Sequence, residues 1–471
     1  MLFISDEFFV FLVLALASSA LAAGPRWRAW LLLGFCAWFY ASWSLPFMGL
    51  LVANIVIDYF LALGIHRSSS PRGKLAMVTA SVVMNLGMLG TFKYAGFAAS
   101  TLNDGLRLLG TSVAVPVPHL VLPLGISFYV FQAISYTVDV YRGLLAPTRS
   151  IRELATFIMF FPHLVSGPIV RAAEILPQLK RLESAPAVSD IAAGARDFVL
   201  GFGRKVLIAD PFAQLADAAF SRPEGYSSPS LWVGLFAYAF QIYFDFSGYS
   251  QMAVGLARMF GIHFPDNFDS PYIARSLQEF WRRWHISLSR FLRDYLYIPL
   301  GGSRFGLGRT LFALSATMLI GGFWHGANWT FVAWGAIHGF GQAIAYLYRE
   351  KRPASHSAFW ESPAGNFAGW TMTMATVLFA WVYFRAPSVT EANRYLARLF
   401  SFSPGDALPL SGVQVSLFAL AVGIHLVAYF RPKFALPWPS RPVADGVAAG
   451  ILYVALVMVK QADAPFIYFN F

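Results

Sequence analysis

Apolar runs of about the length needed to cross a bilayer as a helix, roughly 20 residues, recur along this chain and leave few folds open to it. They fall near 8–23, 28–45, 47–64, 75–92 and 120–138, and again near 231–257, 366–385, 413–430 and 446–460. A backbone in hydrocarbon must satisfy its own hydrogen bonds, which a helix does within each run. The chain is therefore read as an all-α polytopic membrane protein with about eleven transmembrane or re-entrant helices, interfacial amphipathic helices beside them, and one domain over 1–471.

Charge supports this reading. Only 13% of the 471 residues are charged and 57% are hydrophobic, where a soluble chain carries roughly 25% charge. The net charge of +11 sits in short loops: Arg26 and Arg28, then Arg67, Arg72 and Lys74, then Arg142, Arg149 and Arg152. With the acidic N-terminus outside, these clusters share one side, as cytoplasmic Lys and Arg do. No nucleic-acid partner is expected. The single cysteine, Cys36, lies among large apolar side chains and is read as packing. Residues 8–23 end in Ala-Leu-Ala-Ala like a signal sequence, but Asp6 and Glu7 precede them in place of basic residues, so they are kept as a first helix.

Three stretches interrupt the regular pattern. Phe161-Pro162-His163-Leu164-Val165-Ser166-Gly167-Pro168 breaks an apolar segment with two prolines and a glycine, which predicts a broken or re-entrant helix. Residues 178–230 are more polar and are placed at the membrane surface. Residues 271–309 crowd Arg275, Arg282, Arg283, Arg290, Arg293, Arg304 and Arg309 among aromatics. A single helix from Ser276 to Tyr297 would put Trp281, Trp284 and Leu288 on one side and Arg283, Ser287, Arg290 and Asp294 on another, an interfacial pattern.

Ionisable groups inside apolar segments are costly and mark function by default. His325 stands at the centre of the segment 310–348, between Trp324 and Gly326. It is either a polar tie between helices or a reactive base. Trp324 would exclude water, and Asn328, one turn on, would fix the imidazole tautomer. Burial disfavours a charged imidazole, and a neutral one can take the proton of a hydroxyl attacking an acyl thioester, then return it to the leaving thiolate. His285, beside Trp281, Arg282 and Ser289, is either an interfacial histidine or a reactive one. His338 would face away from His325 on an unbroken helix and is read as structural. Asp245, set among aromatics and hydroxyls, needs a partner if buried.

No Gly-x-Ser-x-Gly nucleophile is present, so direct transfer fits better than an acyl-enzyme. Gly201-Phe202-Gly203-Arg204-Lys205 lacks the spacing of a phosphate loop, and no His-Glu-x-x-His pattern supports a metal. No permanently bound cofactor is expected.

These motifs, in order, resemble the membrane-bound O-acyltransferase family, in the bacterial branch that contains the alginate O-acetyltransferase membrane subunit. The likeness rests on Phe161 to Pro168, on Asp245-Phe246-Ser247-Gly248-Tyr249-Ser250, and on Phe280 to Ser289. It continues through Arg293 to Gly302, Phe323-Trp324-His325-Gly326-Ala327 and Pro465 to Phe471.

The resemblance implies helices around a central funnel or tunnel, the family's invariant histidine at His325 and a second active-site position at His285. Trp324, Asn328, Trp281, Arg282, Ser289, Asp245 and His163 are the supporting or tunnel-lining candidates. It implies a multi-pass protein of the bacterial inner membrane that takes an acyl group, usually acetyl, from a cytoplasmic thioester such as acetyl-CoA. A periplasmic partner acetyltransferase would help deliver that group to an extracytoplasmic glycan, in alginate or other exopolysaccharide biosynthesis. The arginines of 271–309 would then draw an anionic donor to the cytoplasmic mouth. Two alternatives stay open: a D-alanyl transferase of the teichoic acid type using an acyl carrier protein, and a transporter with Asp245, His163 and His325 as its polar path.

Overall fold

The computed structural model describes residues 3–22, 24–165, 167–180, 185–434, 445–452 and 454. Ser166, Arg181, Glu183, most of the expected 446–460 span and the Pro465 to Phe471 motif lie outside them. Among the described residues the regular structure is helical, apart from one isolated bridge between Tyr226 and Asp406. The chain packs as two compact units, Met1–Phe198 with Ser250–Pro265, and Val199–Tyr249 with Asp266–Phe471.

Five described helices have the length and apolar composition of a membrane span: Leu45–Arg67, Pro71–Leu108, Leu307–His325, Pro363–Arg385 and Gly412–Phe430. The expected spans near 8–23, 28–45 and 120–138 form the shorter helices Asp6–Leu21, Pro25–Ala41 and Ile126–Tyr141. At 1.5 Å per residue a 16-residue helix covers about 24 Å, less than the hydrocarbon thickness of about 30 Å. The expected 75–92 span extends instead into a 38-residue helix through a π-helical stretch at Gly90–Tyr94. Large apolar side chains such as Phe60, Val83, Phe312 and Phe367 are exposed on these helices, as lipid-facing residues are. The chain is an all-α multi-pass membrane protein.

In the first unit, Phe8, Phe11, Phe39 and Phe161 form one aromatic cluster. The Phe161 to Pro168 stretch does break: helix Ile151–Met159 ends before Phe160, and a four-residue turn, Phe161–Leu164, follows. Pro162 removes an amide donor there.

The second unit holds the arginine-rich segment and both histidine stretches. Helices Leu307–His325 and Trp329–Lys351 form an antiparallel hairpin, because Gly326 is extended (φ −161°, ψ 150°) and ends the first. The pair approaches closely at Gly322 and Gly335. A Cβ on Gly322 would sit 2.4 Å from the Phe331 carbonyl oxygen, and one on Gly335 would sit 2.6 Å from that of Met318. Small residues at such crossings let backbones meet where the hydrophobic effect gives no drive.

The single helix expected from Ser276 to Tyr297 is not formed. Ser276 caps helix Leu277–Arg283, accepting from the Glu279 amide at 3.1 Å. The chain then breaks at Trp284 and His285 before Ile286–Leu292 and a π-helical stretch Arg293–Tyr297. His285 takes the left-handed conformation, φ 42° and ψ 56°, which costs a residue with a Cβ about 1–2 kcal/mol. Asn267 holds the break in place. Its carbonyl accepts from the Ile286 amide at 3.0 Å, and its side-chain oxygen accepts from the Ser287 amide at 3.1 Å and hydroxyl at 2.9 Å. Two of the amides that a helix start leaves unpaired are satisfied in this way.

Candidate active site

His285 and His325 converge on one indole. His325 ends its helix with its ring 5.0 Å from that of Trp324, and the Trp324 ring lies 6.4 Å from that of His285. Both histidines are buried, at 4% and 0% exposure. Trp334 and Phe384 complete the wall around His325, at 5.0 and 5.2 Å. Around His285 stand Phe246, edge-on at 4.6 Å, and Phe268, stacked at 6.5 Å.

Neither ring nitrogen of His285 has a hydrogen-bond partner among the described residues. Burial pushes its pKa down to about 3, so the ring is neutral and keeps a lone pair for an incoming proton or donor. The left-handed backbone of His285 swings the ring inward where a continuous helix would have left it at the border of the apolar face. Strain of this kind persists where surrounding structure fixes it and clusters at functional sites.

Next to Phe246, which contacts His285, the chain carries a buried ion cluster. Lys205 sits 2.6 Å from Asp210 and 3.1 Å from Asp245, so Asp245 has the partner that its burial requires. Burial also raises the Asp210 carboxyl to about 6, against the pull of Lys205. The π-helical stretch Arg204–Ala209 carries Lys205, and the approach depends on Gly248: a Cβ there would meet the Gly201 carbonyl oxygen at 2.7 Å. Nothing in the sequence paired Lys205 with Asp245 except the rule that a buried carboxylate seeks a cation.

The other candidates divide. Trp281 is buried against Trp334 and His338, at 5.7 and 5.2 Å. Ser289 donates to the Trp284 carbonyl at 3.4 Å. Arg282 is exposed. Asn328 does not hold the His325 ring: it caps helix Trp329–Lys351, accepting from the Thr330 amide at 3.0 Å and donating to the Pro387 carbonyl at 2.9 Å. His163 belongs to the other unit, and both its nitrogens are engaged, by Gln132 and by the Phe157 carbonyl at 2.8 Å.

His338 departs most from expectation. The turn at Gly326 to Asn328 folds its helix back, so that Trp334 contacts His325 and His338 alike, at 5.0 and 4.8 Å. The premise of one unbroken helix fails at Gly326.

Residues 144–390 match the membrane-bound O-acyltransferase family. The chain belongs to that family. The protein named "Probable alginate O-acetylase AlgI" of Azotobacter vinelandii is 41% identical over 473 residues, covering 98% of this chain and 89% of its own. The peptidoglycan O-acetyltransferase of Helicobacter pylori is 36% identical, over 87% of this chain and 81% of its own. The teichoic acid D-alanyltransferase of Streptococcus thermophilus is 32% identical over 48% of this chain and 58% of its own. This membrane-bound O-acyltransferase keeps His285, His325, Trp324 and the Lys205 cluster within its second unit.

Proposed function

We propose that this O-acyltransferase takes an acetyl group from a cytoplasmic thioester and transfers it for O-acetylation of an extracytoplasmic polysaccharide, with His325 as the general base. The observation that carries the reading is the meeting of two buried imidazoles, His285 and His325, at the Trp324 indole.

In the transfer, a hydroxyl oxygen attacks the thioester carbonyl carbon while its proton moves to His325. The carbon–sulfur bond then breaks, and the imidazolium returns the proton to the departing thiolate. No acyl-enzyme intervenes. His285, neutral and unpaired, stands where it can orient the thioester. The arginines at 271–309 outnumber its two acidic residues, Glu279 and Asp294, seven to two, and would attract the phosphates of coenzyme A. The acyl-accepting hydroxyl belongs to a glycan or to a partner acetyltransferase in the periplasm of a bacterium whose inner membrane holds this protein.

Acetyl is favoured over D-alanyl because both O-acetylating relatives cover most of the chain, whereas the D-alanyl relative aligns with 48% of it. Transport loses its polar path, since His163 is doubly hydrogen-bonded and Asp245 is paired with Lys205. Membranes holding the full chain and its partner, supplied with labelled acetyl-CoA, would acetylate the glycan. A His325→Ala variant would not.

A further inference from the structure

His338 is fully buried, and neither of its ring nitrogens has a hydrogen-bond partner among the described residues. The same holds for the indole nitrogens of Trp281 and Trp334. The three rings touch one another: Trp281 lies 5.2 Å from His338 and 5.7 Å from Trp334, and Trp334 lies 4.8 Å from His338. Phe280 lies parallel to His338 at 6.1 Å.

Buried polar groups in native proteins are almost always satisfied, by protein, by water or by ligand. Four unpartnered atoms on three mutually touching rings therefore call for an occupant. Its chemistry follows from the inventory. Each indole offers one donor and no acceptor, and a neutral imidazole offers one of each, so the set holds three donors and one acceptor. It suits an oxygen that accepts hydrogen bonds. Trp334 also walls His325, at 5.0 Å, so one of the three rings borders the proposed base.

We propose that Trp281, Trp334 and His338 form a donor-rich recess that holds the carbonyl oxygen of the acyl thioester during transfer. This rests on the acetyl-transfer reading above. As the hydroxyl oxygen bonds to the carbonyl carbon, the carbonyl π pair moves onto that oxygen, and donors aimed at it stabilise the charge where it develops. When the carbon–sulfur bond breaks, the carbonyl re-forms and the sulfur leaves with the bonding pair. The other source of such an oxygen is a water molecule, and the test separates the two.

The full-length protein in lipid nanodiscs is given acetonyl-CoA labelled with 13C at the ketone carbon, which cannot transfer its acetyl group. Infrared spectroscopy then reads the bound carbonyl stretch. In the wild-type protein the band is expected below its position in water, and in His338→Phe and Trp281→Phe it moves back up. In acetyl transfer, His338→Phe is expected to lower kcat by about 10²-fold with a smaller change in donor KM, and His338→Gln, which keeps an N–H, recovers part of the loss. Trp281→Phe keeps an aromatic ring and removes only the N–H, so it serves if His338→Phe fails to fold.

A band unmoved by either substitution, with kcat within about twofold of wild type, overturns the proposal and leaves the recess to water. A His338-dependent band in a protein that transfers no acetyl group would retire the acetyl-transfer reading and keep the recess.

Discussion

Phe246 stands edge-on to the imidazole of His285, with ring centroids 4.6 Å apart, and Asp245, the residue before it, is anchored to Lys205 at 3.1 Å. The ion cluster therefore fixes the register of a ring that walls the histidine. Its three charges are buried, and their worth lies in holding this geometry, because desolvation offsets much of the Coulomb gain in a buried pair.

Lys205→Met removes the ammonium that bridges the buried Asp210 and Asp245. The expected cost is roughly 3–5 kcal/mol, seen as a lower thermal midpoint in detergent and as lost acetyl transfer. Adding Asp245→Asn to Lys205→Met is expected to recover part of that stability. Equal midpoints for wild type and Lys205→Met would refute the anchoring role.

The neutral state of His285 makes a pH prediction. Its folded pKa of about 3 lies below its ordinary 6.5, so between these values the unfolded chain binds a proton that the folded one does not. Folded stability falls as pH drops through that window, by up to about 1.4 kcal/mol per pH unit from this residue. His285→Gln removes the contribution. The stability of wild type relative to His285→Gln should thus shrink as pH is lowered from 6.5 toward 3, and a gap independent of pH would show that His285 titrates normally.

Gly335→Ala drives a Cβ to within 2.6 Å of the Met318 carbonyl oxygen and pushes apart the hairpin that carries His325 and Trp334. Overpacking of this kind costs about 1–3 kcal/mol, and a displacement near 1 Å at reacting groups lowers turnover by about 10²-fold. Gly308→Ala, on the same hairpin but with open space around its Cβ, should leave both unchanged. If the two variants behave alike, close packing at Gly335 does not set the site.

Asn328→Ala removes a helix cap and the bond to Pro387. A loss of about 1 kcal/mol is expected, with kcat per folded molecule preserved, and Asn328→Asp should keep the cap. A collapse of kcat in a fully folded Asn328→Ala protein would instead restore a tautomer-fixing role.

The membrane class and the break at Pro162 were legible in the sequence, since each is carried by local composition or a short motif. The break at His285 was not, because Trp284-His285-Ile286 contains no glycine or proline. The kink comes from Asn267, distant by eighteen residues, satisfying amides that a helix would have paired internally. The setting of His338 was hidden for a related reason: nothing in the run from Thr310 to Tyr348 announces that the chain turns at Gly326, whose extended backbone ends the helix Leu307–His325. Lys205 was hidden because periodicity along one helix says nothing about which side chain a distant π-helical stretch will present.

The most direct test of His325 as the base is transfer of labelled acetyl from acetyl-CoA to glycan by wild-type and His325→Ala proteins at equal folded amounts, with the partner subunit present. Loss of the general base predicts a fall in kcat of about 10²- to 10⁴-fold with the fold intact. A folded His325→Ala protein that transfers acetyl at the wild-type rate would contradict the account.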